Sequence, residues 1–151
     1  FKCLNEDGFI FLDNSISKKL LFQSITNKAS LLFGANEDKI FSALNKREKL
    51  GSTSIGNGIA IPHVEDDSID EPKCLVTILS NGIDYDSTDQ MPVDVIFLLL
   101  MPKSNKFNHL QILASLSRLS RNSVLINKLR GCQNSGSAFA IFSQFLEDQA
   151  A

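Results

Sequence analysis

Histidine is scarce in this chain: among 151 residues, His63 and His109 are the two that carry an imidazole. Histidine can stay neutral and nucleophilic at cellular pH, which makes it a candidate acceptor in group transfer. His63 directly follows Ile59-Ala60-Ile61-Pro62, and the segment Gly51 to Gly58 upstream holds three of the eight glycines. Glycine lets backbone N–H groups approach a ligand closely, and successive N–H groups form nests that bind anions. A nucleophilic imidazole beside an anion nest suggests phosphoryl chemistry. The same glycines would equally serve a tight connection that needs positive φ, and spacing leaves both readings open. Two familiar phosphate motifs are missing. There is no GxxxxGK[ST], and Gly56-Asn57-Gly58 lacks the third glycine of a dinucleotide fingerprint.

The surrounding elements can be read from periodicity. Gly8 to Leu12 suits a short strand, and Asp13, Asn14 and Ser15 are candidate helix caps. From Ile16, the residues Leu20, Leu21, Ile25, Ala29 and Leu32 recur at helical spacing up to Gly34. Asn36-Glu37-Asp38 opens a second helix with Ile40, Phe41, Leu44 and Leu50 on its inner face, ended by Gly51. Residues 51–63 read as a loop running into a short buried strand, and Val64 to Pro72 as an acidic surface turn. Lys73 to Leu79 is a strand with a turn signal at Asn81-Gly82. Val93 to Met101 is almost wholly apolar, so both of its faces should be covered by helices. A loop over Pro102 to Asn105 leads into a helix starting near Asn105, with Leu110, Leu113, Ala114 and Leu119 as its apolar stripe. Val124 to Leu129 forms a short helix ended by Gly131. A last helix carries Ser137, Phe139, Ile141, Phe142, Phe145 and Leu146, and its phenylalanines belong to the core. Strands interleaved with helices predict an α/β sandwich in which helices flank both faces of a mixed β-sheet of about five strands.

Composition narrows the function classes. Hydrophobic residues make up 43% and charged residues 21%, as in ordinary folded domains, so disorder and fibrous repeats are excluded. The length fits a single domain spanning residues 1–151. The net charge of −2 argues against a nucleic-acid binder, which needs a basic stripe to neutralise phosphates. The apolar run Val95 to Met101 is far shorter than the roughly 20 residues of a membrane span, so no direct membrane insertion is expected. No secretory leader is evident, and the start at Phe1 instead of Met suggests trimming or processing. Cys3, Cys74 and Cys132 are too far apart for a disulfide framework or a paired-cysteine metal site; they read as buried apolar residues in a reducing cytosol.

The string from Arg47 to His63, Arg47-Glu48-Lys49-Leu50-Gly51-Ser52-Thr53-Ser54-Ile55-Gly56-Asn57-Gly58-Ile59-Ala60-Ile61-Pro62-His63, closely resembles a known signature. It is the active-site signature of enzyme IIA of the phosphoenolpyruvate-dependent phosphotransferase system, fructose/mannitol type, and is most similar to the nitrogen-regulatory branch. The resemblance continues through Gln90-Met91-Pro92-Val93-Asp94 and Asn108-His109-Leu110, covering roughly Leu12 to Leu146. It implies a bacterial, cytoplasmic phosphotransferase component that receives phosphate on His63 from a histidine phosphocarrier protein, with a nitrogen-related regulatory role. It implies that His109 and Arg47 share the site, and that a regulated target protein or a sugar-permease IIB domain is a further partner. No cofactor and no metal is implied. The chemistry agrees: phosphoryl transfer rests on positioning and electrostatic stabilisation, and arginine is a permanent fork-shaped donor to phosphate. Ser52 and Thr53 are candidate phosphate ligands, although such residues serve more often as turn and cap residues. Outside the resemblance, Arg47 would read as a solvated helix charge and His109 as a surface residue.

The chain departs from the pattern at three places. Ser54 stands where glycine is usual, Val64 follows His63 where a small residue is common, and Glu65-Asp66-Asp67 lacks the lysine often found there. The acidic run should repel a phosphoryl group. These departures bear on partner affinity and loop conformation rather than on the site assignment. Three alternatives remain: a sugar-transport EIIA component, a non-phosphorylated protein-binding regulator, and a zinc site using both histidines. The joint presence of Arg47, His63 and His109 disfavours the second. The third lacks an evident further ligand.

Overall fold

The structure is a computed structural model that describes residues 2–14 and 16–150. β6 (Val93–Met101) lies at the middle of the sheet, and its side chains explain the layers around it. Ile96, Leu98 and Leu100 enter one core cluster; Val95, Phe97, Leu99 and Met101 enter the other. A strand apolar on both faces is stable only when both are covered. α1 (Lys18–Phe33) and α2 (Glu37–Lys49) cover the first face with Leu21, Phe22, Ile25, Ala29, Ile40 and Leu44. α3 (His109–Ser120), α4 (Ser123–Arg130) and α5 (Ser135–Ala150) cover the second with Leu116, Leu125, Ile126, Leu129, Ala138 and Phe142.

β5 (Lys73–Ile83) runs antiparallel to β6, with Cys74 opposite Leu99, and β1 (Phe9–Leu12) adds parallel to β5. On the other flank of β6, β3 (Ile59–Ala60) pairs with Val95 and Ile96, and β4 (His63–Glu65) pairs with Leu99 to Met101, both parallel. β2 (Ser54–Gly56) folds back on β3. Among the described residues this makes a mixed sheet of six strands flanked by helices on both faces, in an α/β architecture. None of the described helices is long and apolar enough to cross a membrane.

Several local expectations are corrected. Residues 51–63 hold a hairpin as well as a strand. Its turn is Asn57-Gly58, with φ of +57° and +80°, and asparagine-glycine is the pair that tolerates such angles. Asn81-Gly82 does not turn the chain: β5 continues through it with a register shift between Ile78 and Ile83, as a bulge does. α1 is capped by Ser17, whose Oγ accepts from the Leu20 N–H at 3.1 Å; Asp13 instead accepts from the Ser80 hydroxyl, and Ser15 lies outside the described residues. α3 begins at His109, not near Asn105, because Asn108 Oδ1 accepts the Gln111 N–H at 3.0 Å. Leu50 lies past the end of α2 and is 85% exposed. Leu20, Leu110 and Ala114 also face solvent, and Leu116 is the buried anchor of α3. The stretch after His63 is not a plain surface turn, since Val64, Asp66 and Ile69 are buried. Cys74 is buried while Cys3 and Cys132 are half-buried, and all three thiols are free.

Candidate functional site

β3 and β4 follow one line along β6, interrupted by Ile61-Pro62. Proline has no N–H to give to the ladder, yet its carbonyl oxygen still accepts from the Leu99 N–H at 3.0 Å. The ladder resumes at His63, opposite Leu99, with Glu65 opposite Met101. Paired residues in a sheet point to the same face, so His63 and Glu65 project toward the layer of α3, α4 and α5. Val64 points the opposite way into the core beneath α1 and α2. Two residues apart on a strand, His63 and Glu65 stand roughly 6.5 Å from each other along that face.

The His63 ring is held by its own strand. Nδ1 lies 2.7 Å from the Ile61 carbonyl oxygen. A carbonyl oxygen only accepts, so the ring proton sits on Nδ1 and Nε2 carries the free lone pair. His63 is partly exposed, so a nucleophilic nitrogen is presented at the surface. His109, the first residue of α3, approaches through the acidic run. Its Nδ1 is 3.0 Å from Glu65 Oε1. Its Nε2 is buried without a hydrogen-bond partner among the described residues. The fold thus pairs His109 with Glu65, two residues along β4 from His63, so this member of the acidic run is not the plain repelling charge expected from sequence. The rest of that run is also compensated. Asp66 accepts from the Ser68 N–H and hydroxyl, and Asp67 lies 3.7 Å from the Lys39 ammonium.

Arg47 occupies the last turn of α2, where a cation also complements the helix dipole. Its Nη1 donates to the Gly51 carbonyl oxygen at 2.8 Å, and among the described residues no hydrogen bond joins it to either histidine. The next residue, Glu48, organises the start of the glycine-rich segment. Its carboxylate accepts from the Lys18 ammonium at 2.7 Å, from the Thr53 N–H at 3.2 and 3.3 Å, and from the Thr53 hydroxyl. Tyr85 lies 2.9 Å from the Thr53 hydroxyl and 3.4 Å from Glu48 Oε1, and the Lys18 ammonium sits 4.1 Å from the centre of its ring. Burial, with the Glu48 charge adding to it, pushes the Tyr85 hydroxyl far above the usual tyrosine range. Ser52 donates to the Tyr85 carbonyl oxygen at 3.3 Å and accepts from the Ser54 N–H. Both hydroxyls read as phosphate ligands from sequence are therefore spent on holding the segment. Glu48, Lys18 and Tyr85 were missed; Glu48 lay inside the recognised string, while Lys18 and Tyr85 are distant in sequence and carried no signal.

A second brace holds the hairpin. Arg130 on α4 donates to Asp94 Oδ1 at 2.9 Å and to the Asn57 carbonyl oxygen at 2.7 Å. Asp89 accepts the Asn57 N–H at 3.1 Å. The Gln90 to Asp94 motif thus supports the segment that leads into His63. Among the described residues no cluster of His, Cys, Asp and Glu could hold a metal ion. A concavity of about 570 Å³ lies elsewhere, against Gly82, Asp84, Asp86 and Met91, and neither histidine lines it. His63 itself is partly exposed.

Comparison with known proteins shows the family of the chain. The family described as "Phosphoenolpyruvate-dependent sugar phosphotransferase system, EIIA 2" matches residues 3–145. A nitrogen regulatory protein from Bradyrhizobium diazoefficiens is 38% identical over 127 residues, covering 84% of this chain and 83% of that protein. A fructose-specific EIIA component from Haloferax volcanii is 30% identical over 112 residues, covering 74% and 73%. The crystal structure of nitrogen regulatory protein IIA-Ntr from Neisseria meningitidis superposes with a TM-score of 0.82 at 28% identity, covering 93% of this chain and 96% of that one.

Proposed function

The chain belongs to the EIIA type-2 family of the phosphoenolpyruvate-dependent sugar phosphotransferase system, and from that premise we propose that His63 is its phosphoryl acceptor. The observation that carries the proposal is the Nδ1 contact to Ile61, which leaves Nε2 as the nucleophile at a partly exposed position. The Nε2 lone pair attacks phosphorus on the phosphohistidine of a phosphocarrier protein. The donor's N–P bond breaks, its electron pair returns to the donor imidazole, and that ring takes up a proton. The transition state spreads charge over the equatorial oxygens, so cationic and N–H donors stabilise it. Arg47 and His109 are the donors in this reading, and Ser52 and Thr53 are anchors of the loop. The whole of residues 1–151 acts as one phosphotransfer domain in the cytoplasm, with a nitrogen-related regulatory output through a target protein.

The test is phosphorylation from phosphoenolpyruvate through the general carrier proteins. Acid-labile, base-stable label is expected on the wild type and absent from His63→Ala; label that persists in a folded His63→Ala refutes the assignment. Likeness to a fructose-specific component supports a second reading, onward transfer to a sugar-permease IIB domain. Transfer of the label from the phosphorylated protein to such a domain would distinguish it from a purely regulatory role.

A further inference from the structure

We propose that Glu65 is a positioning residue that fixes the proton of His109 on Nδ1 and so turns His109 Nε2 into the atom that meets the phosphoryl group. The inference rests on the reading of His63 as acceptor. Three observations support it. Glu65 projects from the same face of β4 as His63, one pleat further along. Its Oε1 lies 3.0 Å from His109 Nδ1. His109 Nε2 is buried and has no partner among the described residues.

The chemistry follows from donor and acceptor counting. An ionised carboxylate only accepts, so the 3.0 Å contact requires a proton on His109 Nδ1. With Nδ1 committed, any further proton taken up by the ring must sit on Nε2. That proton converts Nε2 from an acceptor to a charged donor, and a phosphoryl oxygen on His63 would satisfy an atom that otherwise stays buried and unpaired. Without Glu65 the ring is free to flip or to place its single proton on Nε2, and the imidazole loses its fixed orientation. The pairing of a carboxylate with the far nitrogen of a working histidine is a general device for selecting tautomer and direction. In this chain the device takes over the position where a repelling negative charge would otherwise face incoming phosphate. Glu65 is half-exposed, with a side-chain exposure of 53%, so replacing it should leave the core intact.

The test compares wild type with Glu65→Gln and Glu65→Ala, each checked for an unchanged melting curve. Nitrogen-15 spectra of the imidazoles, taken at alkaline pH, report which ring nitrogen carries the proton. The wild type should show the Nδ1–H form at His109. Glu65→Gln should keep it, because the amide oxygen still accepts, and Glu65→Ala should lose it. The rate of labelling at His63 should fall about tenfold in Glu65→Ala, the equivalent of one lost hydrogen bond, and be largely restored in Glu65→Gln. An unchanged Nδ1–H form in Glu65→Ala overturns the proposal. So does a changed form with an unchanged rate. If the wild type itself takes no label on His63, the acceptor reading fails, while the spectra still decide whether Glu65 sets the tautomer.

Discussion

Replacing Glu48 with alanine removes the acceptor on which the start of the glycine-rich segment converges. The Glu48 side chain is 8% exposed and that of its partner Lys18 is 19% exposed, so the pair sits well out of water. Glu48→Ala leaves the Lys18 ammonium with the Tyr85 carbonyl oxygen at 3.0 Å and the Tyr85 ring as its remaining partners. It also deprives the Thr53 N–H of its acceptor. Breaking one side of a buried pair costs about 3–5 kcal/mol, mostly the penalty of the charge left behind. For a chain of this length each kcal/mol moves the melting temperature by about 2–4 °C, so Glu48→Ala should melt roughly 6–20 °C lower. Urea denaturation should give the same loss with an unchanged slope. Adding Lys18→Met to Glu48→Ala removes the orphaned charge and should recover part of the loss, so the double variant is more stable than the sum of the single effects predicts. A loss below about 1 kcal/mol in Glu48→Ala, the range of exposed ion pairs, would refute the reasoning and reduce the network to surface charges.

Arg47→Ala should slow labelling of His63 roughly ten- to a hundredfold with a near-normal melting curve, the loss of a charge-assisted contact made in the transition state; unchanged time courses would return Arg47 to the role of a helix-end charge. Gly58→Ala should destabilise by more than the ~1–2 kcal/mol of a left-handed non-glycine residue, because at φ +80° its Cβ would meet Arg130 Nη2 at 2.8 Å and Asp94 Oδ1 at 3.0 Å. Thermal melts with Asp94→Ala as background should show that penalty shrink. Burial raises the Tyr85 hydroxyl above its ordinary value of 10.0, so the unfolded chain releases that proton first and stability falls as pH rises beyond about 10. The slope contributed by one such group is about 1.4 kcal/mol per pH unit, and Tyr85→Phe should remove it. Cys74, raised above 9.0 by burial, adds a limb that starts about one unit lower and that Cys74→Ala should remove. Alkaline denaturation curves that are identical for wild type and both variants would contradict this.

Sequence alone determined the layered α/β architecture, because that information is local. The apolar run of β6 demands cover on both faces, and the helical spacing of Leu21, Ile25 and Ala29 supplies part of it. The string ending at Ile61-Pro62-His63 also singled out His63 as the candidate acceptor, through its resemblance to a family signature and not through spacing. Asn57-Gly58 was a legible hairpin turn that the surrounding glycines obscured. Tertiary structure decided the rest. Nothing in the spacing of Lys18, Glu48, Thr53 and Tyr85 indicates that they meet, since α1, α2, the glycine-rich segment and the loop after β5 are brought together only by folding. The same holds for Glu65, 44 residues from His109. Read along the chain it is one of three acidic residues that repel phosphate. In the folded sheet the alternation of β4 turns it toward α3, where it becomes the partner of an imidazole. Periodicity reports which face a residue takes, but only the packing of elements distant in sequence reports what stands on the other side of that face.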